Sequence, residues 1–195
     1  MKKLLIGLLA SAGMLLASFA HATVINFDDL NAAGKNSAIK TKADPYQTFN
    51  WGTYGYVGDT KVTGYANAAH SGTNFFVNGF QSSSLSIGST EAFTFLGAWF
   101  AIPAVAATSD WINISGYDAN KALIGSTGNV AISASYLWVA ANFANVSSLT
   151  ITAEQGFFVM DDFSFSRTSV PEPGALLLLC LGLAALGAAR RLPRR

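Results

Sequence analysis

Between Thr23 and Ser169 no stretch of the chain repeats its apolar residues with the 3.6-residue period of a helix. Short runs of β-branched and aromatic residues recur instead, divided by Gly, Asn, Asp and Ser. Strands are expected near 23–27, 47–51, 61–66, 73–78, 84–87, 91–102, 110–117, 130–133, 135–141, 147–153 and 157–166. Two of them alternate well: Ile112 and Ile114 against Asn113 and Ser115, and Leu149 and Ile151 against Thr150 and Thr152. Turns are expected at Asn78-Gly79, Gly88-Ser89, 118–120 and 125–129. A parallel α/β fold needs helical crossovers, for which the spacing leaves no room. No repeat of solenoid or propeller length is visible. The expected fold class is all-β, an antiparallel β-sandwich or jelly roll with one core.

The two ends read differently. Lys2 and Lys3, an apolar run from Leu4 to Ala17 and the small-x-small triplet Ala20-His21-Ala22 have the form of a secretory signal peptide, cut after Ala22. At the other end Val170-Pro171-Glu172-Pro173 is a stiff, helix-excluding segment. Gly174–Ala189 follows without a charge, and Arg190, Arg191, Arg194 and Arg195 close the chain. The uncharged run is a short transmembrane helix, near the lower limit of about 17 residues, with its arginines on the cytoplasmic side. The expected organisation is a signal peptide over 1–22, a β-sandwich body over 23–169 and a C-terminal segment over 170–195. Cys180 is the only cysteine, so the exported body has no disulfide to hold it.

The Val170–Pro173 motif, the apolar helix and the terminal arginines together resemble a PEP-CTERM sorting signal, a segment also known as the ice-binding protein C-terminal domain. The resemblance implies a Gram-negative host and an integral-membrane, exosortase-type enzyme that recognises Pro171, Glu172 and Pro173. It further implies an inner-membrane-anchored precursor whose body passes to the cell surface or matrix. The body also resembles the sandwich domains found ahead of such signals. That likeness rests on Phe27-Asp28-Asp29-Leu30, Tyr46–Trp51, Phe93–Trp99, Ile112–Tyr117 and Phe158–Phe163. It implies a fold more than a function.

Charged residues make up 12% of the chain, against roughly 25% in average globular proteins. With so many aromatics, this excludes a disordered chain. Twelve Lys+Arg against eleven Asp+Glu also exclude a nucleic-acid binder that works through a basic field.

Two acidic pairs stand out. Asp28-Asp29 ends the first expected strand and Asp161-Asp162 interrupts the last. By the period of two, Asp161 shares a face with Phe157, Val159, Phe163 and Phe165, unless a bulge shifts the register. Adjacent first and last strands would bring both pairs together. They then either accept backbone hydrogen bonds and cap turns, or supply oxygen ligands to Ca²⁺.

Tyr46, Trp51, Tyr54, Tyr56 and Tyr65 crowd a glycine-rich region. Trp51, Trp99 and Trp138 are expected in the core. Tyr54 and Tyr56 are candidates for stacking on sugar rings. Catalysis has little to rest on. His70 is the one histidine between 23 and 169, and no cysteine accompanies it. Ser71 beside it is badly placed for a triad. Glu91 and Glu154 show no pairing of the kind glycoside hydrolysis needs. Thr150-Ile151-Thr152 is too short for an ice-binding array.

The reading is an exported, non-enzymatic protein with a structural or adhesive role linked to exopolysaccharide or biofilm. The alternative is a carbohydrate-binding module, calcium-stabilised at the aspartates. Exposed strand edges could pair between copies.

Overall fold

A computed structural model describes residues 21–167 and 182–183. The expected signal peptide, apart from His21 and Ala22, lies outside these residues. So do the Val170–Pro173 motif, nearly all of the apolar segment and the arginine cluster. Among the described residues no helix is long and apolar enough to cross a membrane.

Eleven strands form the body: β1 (Ala22–Ile25), β2 (Ser37–Ala38), β3 (Phe49–Asn50), β4 (Gly55–Asp59), β5 (Asn74–Asn78), β6 (Ser84–Ala101), β7 (Trp111–Tyr117), β8 (Leu123–Ser126), β9 (Val130–Ala131), β10 (Leu137–Ala153) and β11 (Val159–Ser166). Their ladders are antiparallel, and the order runs β2-β4-β5-β11-β6-β10-β7-β8. β1 pairs with β11, β3 with β6 and β9 with β7.

The long strands β6 and β10 create two layers. Early β6 pairs with late β10 (Leu85 opposite Ile151), and late β6 with early β10 (Trp99 opposite Trp138). β7 joins only late β10 and β11 only late β6. Between the halves the register of β10 slips three times, with Asn142 and Asn145 at positive φ. Such bulges sharpen twist and bend a strand. The sheet therefore folds over itself in a sandwich-like arrangement. Phe49 of β3 hydrogen-bonds across to β6, yet its ring meets Phe163 and Phe165 of β11 at 5.3 and 4.9 Å.

An aromatic core fills the space between the layers: Phe27, Phe49, Trp51, Phe76, Phe93, Phe95, Phe163 and Phe165 are all buried. Many of these rings meet edge to face, each such pair adding about 0.5–1.5 kcal/mol beyond area burial. Ile112, Ile114, Leu149 and Ile151 are buried as their alternation requires. A second, smaller cluster lies on the outer face of β5, β11 and β6. It holds Tyr65, Ala68, Phe75, Val77, Ala101 and Val159.

Several expectations are corrected. The segment 61–66 is not a strand. Its backbone closes successive turns (Val62 to Asp59, Tyr65 to Val62, Ala68 to Tyr65), because Tyr65 must reach over the sheet and stack on Phe75 at 5.3 Å. Gly88-Ser89 is no turn: both residues pair with β3 inside β6. Residues 125–126 belong to β8, which pairs with β7. The glycine-rich 55–59 is a strand, since Gly55 and Gly58 let β4 pass close to Phe76 and Phe75.

In β11 the bulge is present. Asp162 has φ 49° and the register shifts after Asp161. Phe158, Met160, Phe163 and Phe165 therefore all face the main core, while Val159 faces the outer cluster. The unbroken period of two had placed Asp161 with Phe163 and Phe165. The extra residue separates them.

Candidate functional site

The four aspartates act as acceptors for the chain's own donors. Asp161 is fully buried. Its Oδ2 accepts the backbone N–H groups of His70 and Ser71 at 2.9 Å each, and its Oδ1 accepts that of Asp162 at 2.8 Å. Burial pushes the Asp161 carboxyl up to about 7 despite these bonds, with the Asp162 charge adding to the rise. Asp162 accepts the Ser71 hydroxyl and pairs with His70 Nδ1, both at 2.7 Å. Asp28 accepts the N–H groups of Thr73 and Asn74 at 2.8 and 2.9 Å. Asn74 in turn donates to the carbonyls of Phe27 and Leu30.

The two pairs thus meet the same loop, residues 70–74, but at different points along it. Asp29 turns away to the Tyr46 hydroxyl and Gln47. Burial first, and Asp29 second, push the Tyr46 phenol up. Among the described residues no three His, Cys, Asp or Glu side chains gather as metal ligands. A cavity of about 510 Å³ beside Asp28 is lined by Asp59, Thr60, Thr73 and Asn74. Asp59 already accepts the N–H groups of Gly34 and Lys61 there.

His70 lies flat on Trp99, with ring centroids 4.2 Å apart, and Trp138 meets Trp99 edge-on at 5.7 Å. Both tryptophans are half-buried on the outer face rather than in the core, because they flank the loop and not the space between the layers. Tyr136 donates to the Ala68 carbonyl. Ser71 gives its proton to the same carboxylate that holds His70, so the three side chains form a clamp and not a nucleophile–base relay.

The tyrosine candidates stand elsewhere, with a partner the sequence did not single out. Tyr54 is 42% exposed and Phe80 is 79% exposed. The half-buried Tyr56 meets Phe80 edge to face at 5.7 Å. Phe80 and Gln81 both have φ 55°, a backbone region costly for L-residues. Asn78, fully buried, holds this turn. Its Nδ2 donates to the carbonyls of Ser82 and Gly156 at 3.0 and 2.8 Å, and its Oδ1 accepts the Phe158 N–H at 2.8 Å. Gly79 donates to the Tyr54 carbonyl, and a Cβ on it would overlap the Tyr56 ring. The result is an aromatic ledge: the edge-to-face pair of Tyr56 and Phe80, with the exposed Tyr54 joined to the turn through its backbone carbonyl.

Residues 169–195 match the family model described as the PEP-CTERM protein-sorting motif. No curated protein matches the sequence. Among solved structures, the chain is similar to the N-terminal CBM22-1–CBM22-2 tandem domain of Paenibacillus barcinonensis Xyn10C. The identity is 13% and the TM-score 0.45, over 81% of this chain and 48% of that one, so the chain spans about half its length. It is also similar to the CBM22-1 xylan-binding domain of the same protein (10% identity, TM-score 0.46, 80% and 99% covered). A third likeness is to the CBM22-1–GH10 modules of Clostridium thermocellum Xyn10B (14% identity, TM-score 0.37, 63% and 26% covered).

Proposed function

We propose that this chain, a PEP-CTERM sorting domain-containing protein by its residues 169–195, is a non-catalytic polysaccharide-binding protein of the cell surface or extracellular matrix. The sorting signal implies an exported, membrane-processed chain with an exosortase-type enzyme as its partner. The sandwich-like body then has a structural or adhesive role among exported polysaccharides.

The observation that carries the binding half is the ledge of Tyr54, Tyr56 and Phe80. A phenylalanine 79% exposed on left-handed backbone is a cost that the fold does not need for its core. Flat aromatic faces pack on the C–H faces of pyranose rings. The amide and hydroxyl side chains of Gln81, Ser83 and Ser84 stand beside them in sequence.

The test is affinity electrophoresis of the protein in gels containing soluble polysaccharides. Retardation by at least one polymer, lost in Phe80→Ala and weakened in Tyr54→Ala, is the expected result. Unretarded migration in every polymer, or retardation indifferent to both substitutions, would refute the reading.

A further inference from the structure

Two residues beside β3 go against what the fold alone would favour. Gly88 lies inside β6, paired with Asn50 of β3. Its backbone is not left-handed, and a Cβ there would meet nothing within 4 Å. A side chain would fit, and glycine weakens a strand interior unless something must approach closely. Gln47 and Thr48 fill the tight turn that the Tyr46 and Phe49 backbones close, and both have positive φ, 49° and 71°. Glycine and asparagine suit such positions, and a β-branched residue there is an outlier. Gly88 and Thr48 line one cavity of about 430 Å³, together with Asp44, Pro45, Asn50 and Ser89. That volume falls in the range of small-molecule sites, about 300–1,000 Å³.

Arg167 sets the hydrogen bonding of this cavity. Its Nη1 donates to Thr48 Oγ1 at 2.7 Å and its Nη2 to Ser89 Oγ at 2.8 Å. Ser89 Oγ also accepts the Glu91 N–H. A guanidinium only donates, so the protons of both hydroxyls are left for another acceptor. Asn50 Oδ1 accepts the Gly52 N–H at 2.8 Å, which leaves its amide nitrogen to donate. Asp44 is exposed, and among the described residues no group donates to its carboxylate. Pro45, also exposed, adds an apolar ring. Donors, an acceptor and an apolar patch thus surround one space.

We infer that this cavity is a second sugar site, which takes the uncharged terminal unit of a glycan. A sugar hydroxyl can accept from Thr48, Ser89 or Asn50 and donate to Asp44. A carboxylate has no proton for Asp44 and is repelled by it, and an ammonium has no lone pair for the two hydroxyls. The space left open at Gly88 then belongs to the ligand, and Thr48 holds its left-handed place because its hydroxyl is used. A concave site of this size suits the end of a chain, whereas the exposed ledge suits a strand passing over it. The cavity shares no residue with the ledge and does not depend on it. Chain ends are scarce in a gel of long polymer, so retardation there still reports the ledge.

The test titrates the full-length chain in detergent with cellobiose, xylobiose and mannobiose, and with digalacturonate, read by saturation-transfer NMR. Every sample carries Phe80→Ala, which removes the ledge. At least one neutral disaccharide should bind. Adding Gly88→Val should abolish that binding without lowering the melting midpoint, because the new side chain enters open space and valine suits a strand. Adding Asp44→Ala, at an exposed position, should weaken binding about tenfold, the worth of one hydrogen bond to a charged group. Absence of binding by all three neutral sugars overturns the inference. So does binding that survives Gly88→Val, binding indifferent to Asp44→Ala, or digalacturonate held more tightly than the neutral sugars. Polymer retardation that needs Phe80, with no disaccharide bound in its absence, would refute this site and leave the ledge standing.

Discussion

Asn78 offers the sharpest test of how the ledge is held. Its side chain joins four segments: the end of β5, the turn carrying Phe80, the loop at Gly156 and the start of β11. In Asn78→Ala the Phe158 N–H and the Ser82 carbonyl lose their partner, while the Gly156 carbonyl keeps the Ser109 hydroxyl. Two unsatisfied groups at about 1–3 kcal/mol each, the Ser82 carbonyl partly relieved by water, give an expected loss of about 3 kcal/mol. That is a large share of the about 5–15 kcal/mol by which domains of this size are stable.

Asn78→Asp sharpens the test. It keeps the acceptor for Phe158 but points a carboxylate oxygen at two carbonyls, so it should cost at least as much as alanine despite its nearly unchanged volume. The assay is urea denaturation of both variants with m held constant, paired with affinity electrophoresis. Both variants should also lose polysaccharide retardation, since Phe80 depends on the turn. A loss below 1 kcal/mol for alanine, or an aspartate variant as stable as the parent, would sink this account of the site.

Five further outcomes are expected. The Asp161 carboxyl titrates near 7 in the fold against 3.8 ordinarily. The folded state therefore binds that proton more tightly, and the stability this provides is full below about pH 4 and lost as pH rises through about 7. At 1.36 kcal/mol per unit the span is at most about 4 kcal/mol. Denaturation at pH 5 and 8 should show the fall and Asp161→Asn should flatten it; a stability that rises with pH would contradict the assignment. Gly72→Ala combines φ +56° with a Cβ overlapping the Asp28 carboxylate, and should cost about 2–3 kcal/mol. Gly128→Ala, with φ +66° in open space, should cost about 1 kcal/mol by the same denaturation assay. Calcium or EDTA should leave the melting midpoint where it is, because Asp28, Asp161 and Asp162 already accept N–H and O–H donors. A shift of several degrees would show an ion held at those carboxylates. Arg167→Ala loses hydrogen bonds to Thr48 and Ser89 and its place over the Phe49 and Phe165 rings. It should lower stability by about 1–2 kcal/mol, whereas Glu91→Gln, which removes the exposed carboxylate 3.7 Å from Arg167 Nε, should change little.

The all-β class was legible because it follows from local residue type: β-branched and aromatic runs cannot serve a 3.6 period. The buried faces of β7 and late β10 were legible because Ile112, Ile114, Leu149 and Ile151 keep an unbroken period of two. What was illegible depends on breaks in that period. The bulge at Asp162 moves one residue and reverses which side chains meet the core. Nothing in Asp-Asp distinguishes a paired strand from a bulged one. Gly88-Ser89 has turn composition yet sits in a long strand, because β3 supplies a partner from far away in sequence. Phe80 was missed because an aromatic beside Asn-Gly ordinarily reads as core. Only its left-handed backbone, fixed by Asn78, turns it outward. Of the candidate residues, the aspartates stood out by their pairing and Tyr54 and Tyr56 by their residue type, but what they touch depends on the fold.

The pairing of β1 with β11 sets where the two ends of the body lie. Ala22 lies opposite Ser166, so the body begins and ends at one place. Asn78 and the ledge turn grip the chain at Phe158, just before the eight-residue β11 begins. At about 3.3 Å per residue that strand separates the two by roughly 25 Å. Within the body, the turn that carries Phe80 is thus anchored at the end of β11 away from Ser166.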